Sequence, residues 1–149
     1  MPRTQSTLEV GVEPAQLMRV ILDFPSYPAF LPEMRLAEVV ARGTDWWDVR
    51  FHLQIVRPLE YTLHLVRESD LRVSWRLVDG IFKSNDGAWD LVDLSDGRTR
   101  ATYAIDIVFG LFVPSTIVNT LVGKSLPDTL VRFRDRAESL ARSGDQAPA

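Results

Sequence analysis

Apolar and polar residues alternate with a period of two through most of this chain, and two stretches break into a period near 3.6. Thr7 to Glu13 (TLEVGVE) alternates and predicts a first strand. Pro14 suits the first turn of a helix, where its missing N–H costs nothing. Leu17, Met18, Ile21 and Leu22 follow at helical spacing to about Asp23. Three prolines then fall within Phe24 to Pro32, a density that predicts a stiff loop or short helical turn. Met34 to Arg42 reads as a second strand. Trp47, Val49, Phe51, Leu53 and Ile55 alternate with Asp48, Arg50, His52 and Gln54, which predicts a long strand. Pro58 marks a reversal, and Tyr61, Leu63 and Leu65 lie on the return strand. Leu71, Val73, Trp75 and Leu77 form the next. After Asp79-Gly80, a loop to about Asn85 is expected, then a strand through Trp89 and Leu91. Asp96-Gly97 makes another tight turn, followed by Tyr103, Ile105 and Ile107.

The second helical stretch runs from about Pro114 to Arg142. Ile117, Val118, Leu121, Val122, Leu126, Leu130, Phe133, Ala137 and Leu140 recur along it at helical spacing. Pro127 predicts a kink between Ser125 and Asp128, and Gly144 a stop. The order is strand, helix, Pro-rich turn, about six strands, long helix. Short turns between strands force antiparallel pairing. The apolar face of such a sheet needs a cover, and the C-terminal helix is the one element long enough. That face carries Trp47, Phe51, Tyr61, Trp75, Trp89, Tyr103 and Phe109. Rings of this size either interdigitate as core or line a cavity, and the pattern is compatible with both.

Composition narrows the chemistry. The 149 residues include 17 Lys+Arg and 20 Asp+Glu, a formal net charge of −3 that argues against a protein built to hold nucleic acid phosphates. The length suits one domain, 1–149, with Ser143 to Ala149 as a frayed tail. The absence of cysteine removes disulfides, thiolate metal sites and a Cys nucleophile. His52 and His64 fall on polar positions of neighbouring strands and read as part of a solvated outer face, so no metal or other cofactor is expected. No G-x-S-x-G, H-E-x-x-H or Gly-rich phosphate loop occurs, and Asp93 is a rare inward carboxylate near a strand end, so no residue is singled out as catalytic. No export signal or 20-residue apolar run is visible, and the chain reads as cytoplasmic.

Several segments carry a resemblance. Asp23-Phe24-Pro25-Ser26-Tyr27-Pro28-Ala29-Phe30-Leu31-Pro32 resembles a D-x-x-x-YP-x-FLP segment. Asp79-Gly80-Ile81-Phe82, Gly87-Ala88-Trp89 and Phe133-Arg134-Asp135-Arg136-Ala137 resemble its D-G-x-F, G-x-W and F-x-x-R-A pieces. Together, over roughly Leu8 to Leu140, the chain resembles the START-like (SRPBCC) superfamily, nearest its coenzyme Q-binding and polyketide cyclase/dehydrase members. The resemblance implies an α+β helix-grip fold, a curved antiparallel sheet of about six or seven strands wrapped over a long C-terminal helix. It further implies a cavity between sheet and helix for a hydrophobic small molecule.

On that reading the sheet wall comprises Trp47, Phe51, Tyr61, Leu63, Trp75, Leu77, Trp89, Tyr103 and Ile105. Val118, Leu121, Val122 and Lys124 face it from the helix, and Phe30 and Phe82 belong to a lid. Each of these positions is equally compatible with plain core or, for Lys124, with a solvated surface. Tyr61 and Tyr103 stand out because a buried phenol needs a hydrogen-bond partner, which a ligand carbonyl would supply. The resemblance implies an isoprenoid quinone or lipid-like ligand and a carrier role. A polyketide aromatase/cyclase and a ribosome-association or protein-interaction module are the alternatives. Apolar loop residues, among them Ile81 and Val108 to Val113, suggest transient peripheral contact with a membrane.

Overall fold

Strict alternation from Trp47 to Ile55 becomes strict alternation of burial, every second side chain turned to the interior. A computed structural model describes residues 3–111 and 113–144; Met1, Pro2, Phe112 and the tail beyond Gly144 lie outside the described residues. Seven strands form one curved antiparallel sheet: β1 (Arg3–Val10), β2 (Met34–Arg42), β3 (Trp46–Ile55), β4 (Arg57–Ser69), β5 (Arg72–Gly80), β6 (Phe82–Asp93) and β7 (Thr99–Phe109). Their order is β1-β7-β6-β5-β4-β3-β2. Strands β1 and β2, consecutive in the chain, therefore lie at opposite edges. Helix α1 (Pro14–Leu22) and a 3₁₀ segment (Phe24–Ala29) span the gap. The C-terminal helical segment comprises α2 (Ser115–Thr120), one wide π turn (Leu121–Ser125) and α3 (Leu126–Arg142).

The edges of these elements differ from the sequence pattern for local reasons. Strand β1 starts earlier because Arg3 to Ser6 pair with Asp106 to Tyr103 through the backbone, which needs no apolar alternation. It ends earlier because Gly11 N–H donates to Glu138 Oε2 at 2.8 Å, which turns the chain toward α3. Glu13 then caps α1 in a reciprocal arrangement with Gln16. The reversal marked by Pro58 occurs two residues earlier, at Val56, which has φ 64° and joins two strands whose flanking residues Ile55 and Arg57 are paired. The loop expected over Asp79 to Asn85 is instead strand on both sides of Ile81.

That hairpin is split. Strands β5 and β6 pair from Arg72↔Asp90 to Trp75↔Gly87, and there the ladder stops. Beyond it the end of β5 follows β4, with Tyr61 opposite Gly80, and the start of β6 follows β7, with Phe82 opposite Phe109. Gly80, at φ 130°, lies so close to β4 that a Cβ there would meet Tyr61 Cα at 2.5 Å.

The core is continuous from α1 and the Pro-rich segment, across the inner sheet face, to α3. Leu17, Ile21, Phe24, Val49, Val73, Ile117 and Leu130 are its most deeply buried large side chains. Tyr27 and Phe30 both meet Phe133 edge-on, at 5.2 and 5.0 Å between ring centroids, and fasten the Pro-rich segment to α3. On the outer face polar residues pair across strands. Arg72 reaches both oxygens of Asp90 at 2.7 Å, and His52 and His64 meet Glu38 and Asp48 at 2.9 and 2.7 Å. The solvated histidines thus each take a carboxylate partner.

The close approach at the split generates a prediction. A Cβ on Gly87 would lie 2.3 Å from Trp75 Cζ2 and 2.5 Å from the Ala104 carbonyl oxygen. Gly87→Ala should lower the unfolding free energy by about 2 kcal/mol or more, measured by urea denaturation. An unchanged midpoint would show that the indole does not rest on that glycine.

Candidate functional site

The inner face and the C-terminal helix do not close on one another completely. Between them lies a cavity of about 130 Å³, partly open to solvent. A cavity near 150 Å³ accommodates benzene, so this one has room for a single aromatic ring. Its sheet wall is built by Phe51, Leu53 and Ile55 from β3, Tyr61, Leu63 and Leu65 from β4, Trp75 from β5, Phe82, Asn85 and Trp89 from β6, and Tyr103, Ile105 and Ile107 from β7. Leu121, Leu126 and Phe133 face them from the helix, and Tyr27, Leu31 and Met34 close the side nearest the Pro-rich segment. Glu33, Ser125, Thr129 and Arg132 also line it, all half-exposed, and mark the opening between that segment and the helix. Ser125 Oγ donates to Glu33 Oε1 at 3.3 Å across this opening.

Three phenols converge on the cavity. Tyr27 uses its hydroxyl to donate to the Ile21 carbonyl at 2.5 Å. Tyr61 and Tyr103 line the wall, and their hydroxyls pair with no group among the described residues. Burial pushes all three phenols well above the usual range, because no water surrounds the phenolate that ionisation would create. At Tyr103 the nearby Tyr61 phenol adds to the effect. The Trp75 ring lies tilted against Tyr103 at 5.5 Å between centroids, and its indole N–H donates to Asn85 Oδ1 at 3.1 Å. This side-chain bond spans the split where the β5–β6 ladder has stopped.

The π turn decides which helical residues face the sheet. Pro127 has no N–H and its ring presses on the carbonyl four residues back, so the backbone widens there. Leu126 N–H reaches Leu121 O, five residues away. The buried residues accordingly run Ile117, Leu121, Leu126, Leu130, Phe133, Ala137, with one spacing of five. Where the sequence suggests a kink, the helix takes an extra residue into one turn.

The sequence-derived set divides on placement. Phe51, Tyr61, Leu63, Trp75, Phe82, Trp89, Tyr103, Ile105 and Leu121 are at the cavity wall. Trp47 lies against Phe24 at 5.8 Å, away from the wall. Phe30 packs on Tyr27 and Phe133, with the Arg136 guanidinium 5.6 Å from its ring centre. Leu77 is half-buried on the diverging end of β5. Val118 and Val122 flank the buried stripe, and Lys124 is exposed on the π turn. Phe109, the last of the inward rings, meets Phe82 edge-on at 5.7 Å.

Asn85, Glu33, Thr129 and Arg132 are wall residues that the pattern did not single out. Asn85 is 2% exposed. It faces inward because β6 bulges between Phe82 and Ser84, so Phe82 and Asn85 share a face despite opposite parity. The signal was available: Phe82 and Trp89 are both inward-type residues seven apart, which period two forbids without a bulge.

Comparison with known proteins agrees with this architecture. Residues 10–134 match the family described as polyketide cyclase/dehydrase and lipid transport. None of the curated protein sequences matches the chain. Among solved structures, the Zhui aromatase/cyclase from Streptomyces sp. R1128 superposes with a TM-score of 0.84 at 16% identity, over 96% of this chain and 97% of that one. A START superfamily protein from Mycobacterium smegmatis gives 0.78 at 21% identity, over 93% and 98%. A STAR-related lipid transfer protein from Xanthomonas axonopodis gives 0.72 at 14%, over 91% and 85%. At these identities the likeness establishes the fold.

The phenols supply a pH test. A phenol held neutral by the fold contributes stability that is intact below its unfolded value near 10 and is lost as pH rises above it. All three tyrosines of the chain are in this class. Absorbance at 295 nm should therefore show no tyrosinate in the native protein at about pH 10.5. It should rise in one step together with loss of the circular dichroism signal. Smooth titration near pH 10 with the fold intact would contradict the burial described.

Proposed function

The chain belongs to the START-like family of polyketide cyclase/dehydrase and lipid-transport proteins, and from that premise we propose that it binds a hydrophobic small molecule in the cavity between its sheet and C-terminal helix and carries it. The observation that supports this most is the unfilled space itself, walled by bulky rings and left between elements that otherwise pack closely. A ligand that fits an apolar cavity contributes favourably through the contacts it makes with the lining and by binding the folded state.

The ligand class we favour is an isoprenoid quinone or a similar lipid. One ring matches the enclosed volume, and a tail would leave through the opening beside Leu31 and Ser125. The exposed apolar residues on the turns at this end support collection from or delivery to a membrane surface. Leu111 is 98% exposed and Val56 77%. Among the described residues no helix is long and apolar enough to cross a membrane, so contact by these side chains would be peripheral. A polyketide aromatase/cyclase is the second reading. It draws on the family's description and on the carboxylate of Glu33 and the guanidinium of Arg132 at the cavity opening, where they would meet a folded polyketide.

Native mass spectrometry of protein purified from its own host tests the carrier reading, which requires a co-purifying quinone or lipid. Ile105→Trp should fill the cavity and remove that mass while the protein stays folded. Material retained by the variant, or none in the wild type, would refute it. Flotation with vesicles containing anionic lipid tests the membrane component: Leu111→Asp should reduce association severalfold. An equal reduction by an aspartate on the outer sheet face would show the effect to be charge alone.

A further inference from the structure

The polar groups of the cavity wall are unevenly assigned. An indole can only donate, so Trp75 fixes Asn85 with its Oδ1 toward the ring nitrogen, at 3.1 Å. The amide nitrogen, which carries two hydrogens, is thereby turned away from the indole. No acceptor among the described residues pairs with it, although Asn85 is 2% exposed and lines the cavity. The hydroxyls of Tyr61 and Tyr103 carry one further hydrogen each, also unpaired. The carboxylate acceptor of the lining is at the opening, where Glu33 already accepts from Ser125. The inner wall therefore offers unpaired hydrogens in an apolar, ring-lined space, and its Asn85 amide nitrogen is a group there that can only donate.

We propose that Asn85, held by Trp75, forms with Tyr61 and Tyr103 a recognition subsite for a carbonyl oxygen on an aromatic or ring-forming ligand. The proposal rests on the cavity being the ligand site and specifies what that site selects. Both ligand chemistries of the preceding subsection, a quinone ring and a polyketide chain, present such oxygens, whereas a saturated hydrocarbon does not. A neutral acceptor suits the site because an anion would lose its hydration in the apolar wall. Trp75 acts as a positioning residue: without its N–H the amide is free to turn its oxygen toward the ligand and repel it.

The subsite predicts an inversion of ordinary hydrophobic preference. Of two ligands with the same outline, the hydrocarbon gains more from leaving water, so an apolar pocket takes it more tightly. A pocket with unpaired donors takes the carbonyl compound instead. Isothermal titration calorimetry on the full chain would compare 2,5-dimethyl-1,4-benzoquinone with 1,2,4,5-tetramethylbenzene, and acetophenone with isopropylbenzene. The lack of cysteine removes the main nucleophile that would trap the quinone. The carbonyl member should bind about tenfold or more tightly in at least one pair. The pair with the larger ratio distinguishes a ring dicarbonyl from a chain ketone as the preferred chemistry. Asn85→Leu and, separately, Trp75→Phe should bring the ratio to within about threefold of unity, the ratio within each variant cancelling any change in pocket volume. Should Asn85→Leu fail to fold, Tyr103→Phe replaces it with the same expected direction. Equal binding of both members by the wild type would overturn the subsite and leave the cavity as a hydrophobic site. Failure of all four compounds to bind would overturn both.

Discussion

The inner face of the sheet is predominantly apolar, and one helical segment has to cover it. Seven strands are wider than a helix, so the sheet must curve to bring its edges in, and β1 and β2 become the rims of the curve. Helix α1 and the Pro-rich segment bridge the rims, with Tyr27 and Phe30 wedged against Phe133 to hold the closure. A curved sheet over a helical rod does not touch it everywhere, and the gap runs from Leu121 on the π turn to Phe133 on α3. The cavity lies in that gap.

Regular secondary structure is interrupted repeatedly around this space, and the interruptions act in concert. The β5–β6 ladder opens after Trp75, the bulge in β6 turns Asn85 inward, and the π turn rotates Leu121 and Leu126 onto the wall. Each replaces a backbone interaction with a side-chain one or with none. The unpaired hydrogens of Asn85, Tyr61 and Tyr103 border the cavity rather than solid core, where a ligand oxygen or ordered water can pair with them. Local departures from regularity at binding sites commonly have this character.

Away from the cavity the chain follows simpler rules. Opposite charges face one another across the outer strands, and each histidine sits beside a carboxylate. These exposed pairs contribute little individually, but they keep the outer face polar. That polarity settles which of the two sheet faces takes the helix, because slipping any strand by one residue would exchange its faces.

Much of this was legible in the chain. Alternation identified seven strands, the inward rings and the outer polar face, and the 3.6-residue period identified both helical stretches. These follow from local geometry, since a strand or helix repeats on a scale that the sequence itself records. The YP-x-FLP segment further pointed to the superfamily. What the tertiary structure alone decided concerns positions where partners distant in the chain compete for one residue. Val118 and Val122 share a spacing with Leu121, but the wide turn before Pro127 leaves them at the flank. Trp47 has the alternation of a wall residue, but Phe24 claims it as core. Asn85 looks like a turn residue until Trp75, ten positions earlier, captures its oxygen. Periodicity states which face a side chain takes; whether that face meets another side chain or empty space depends on how far the opposite element stands away, and that distance is written in no single segment.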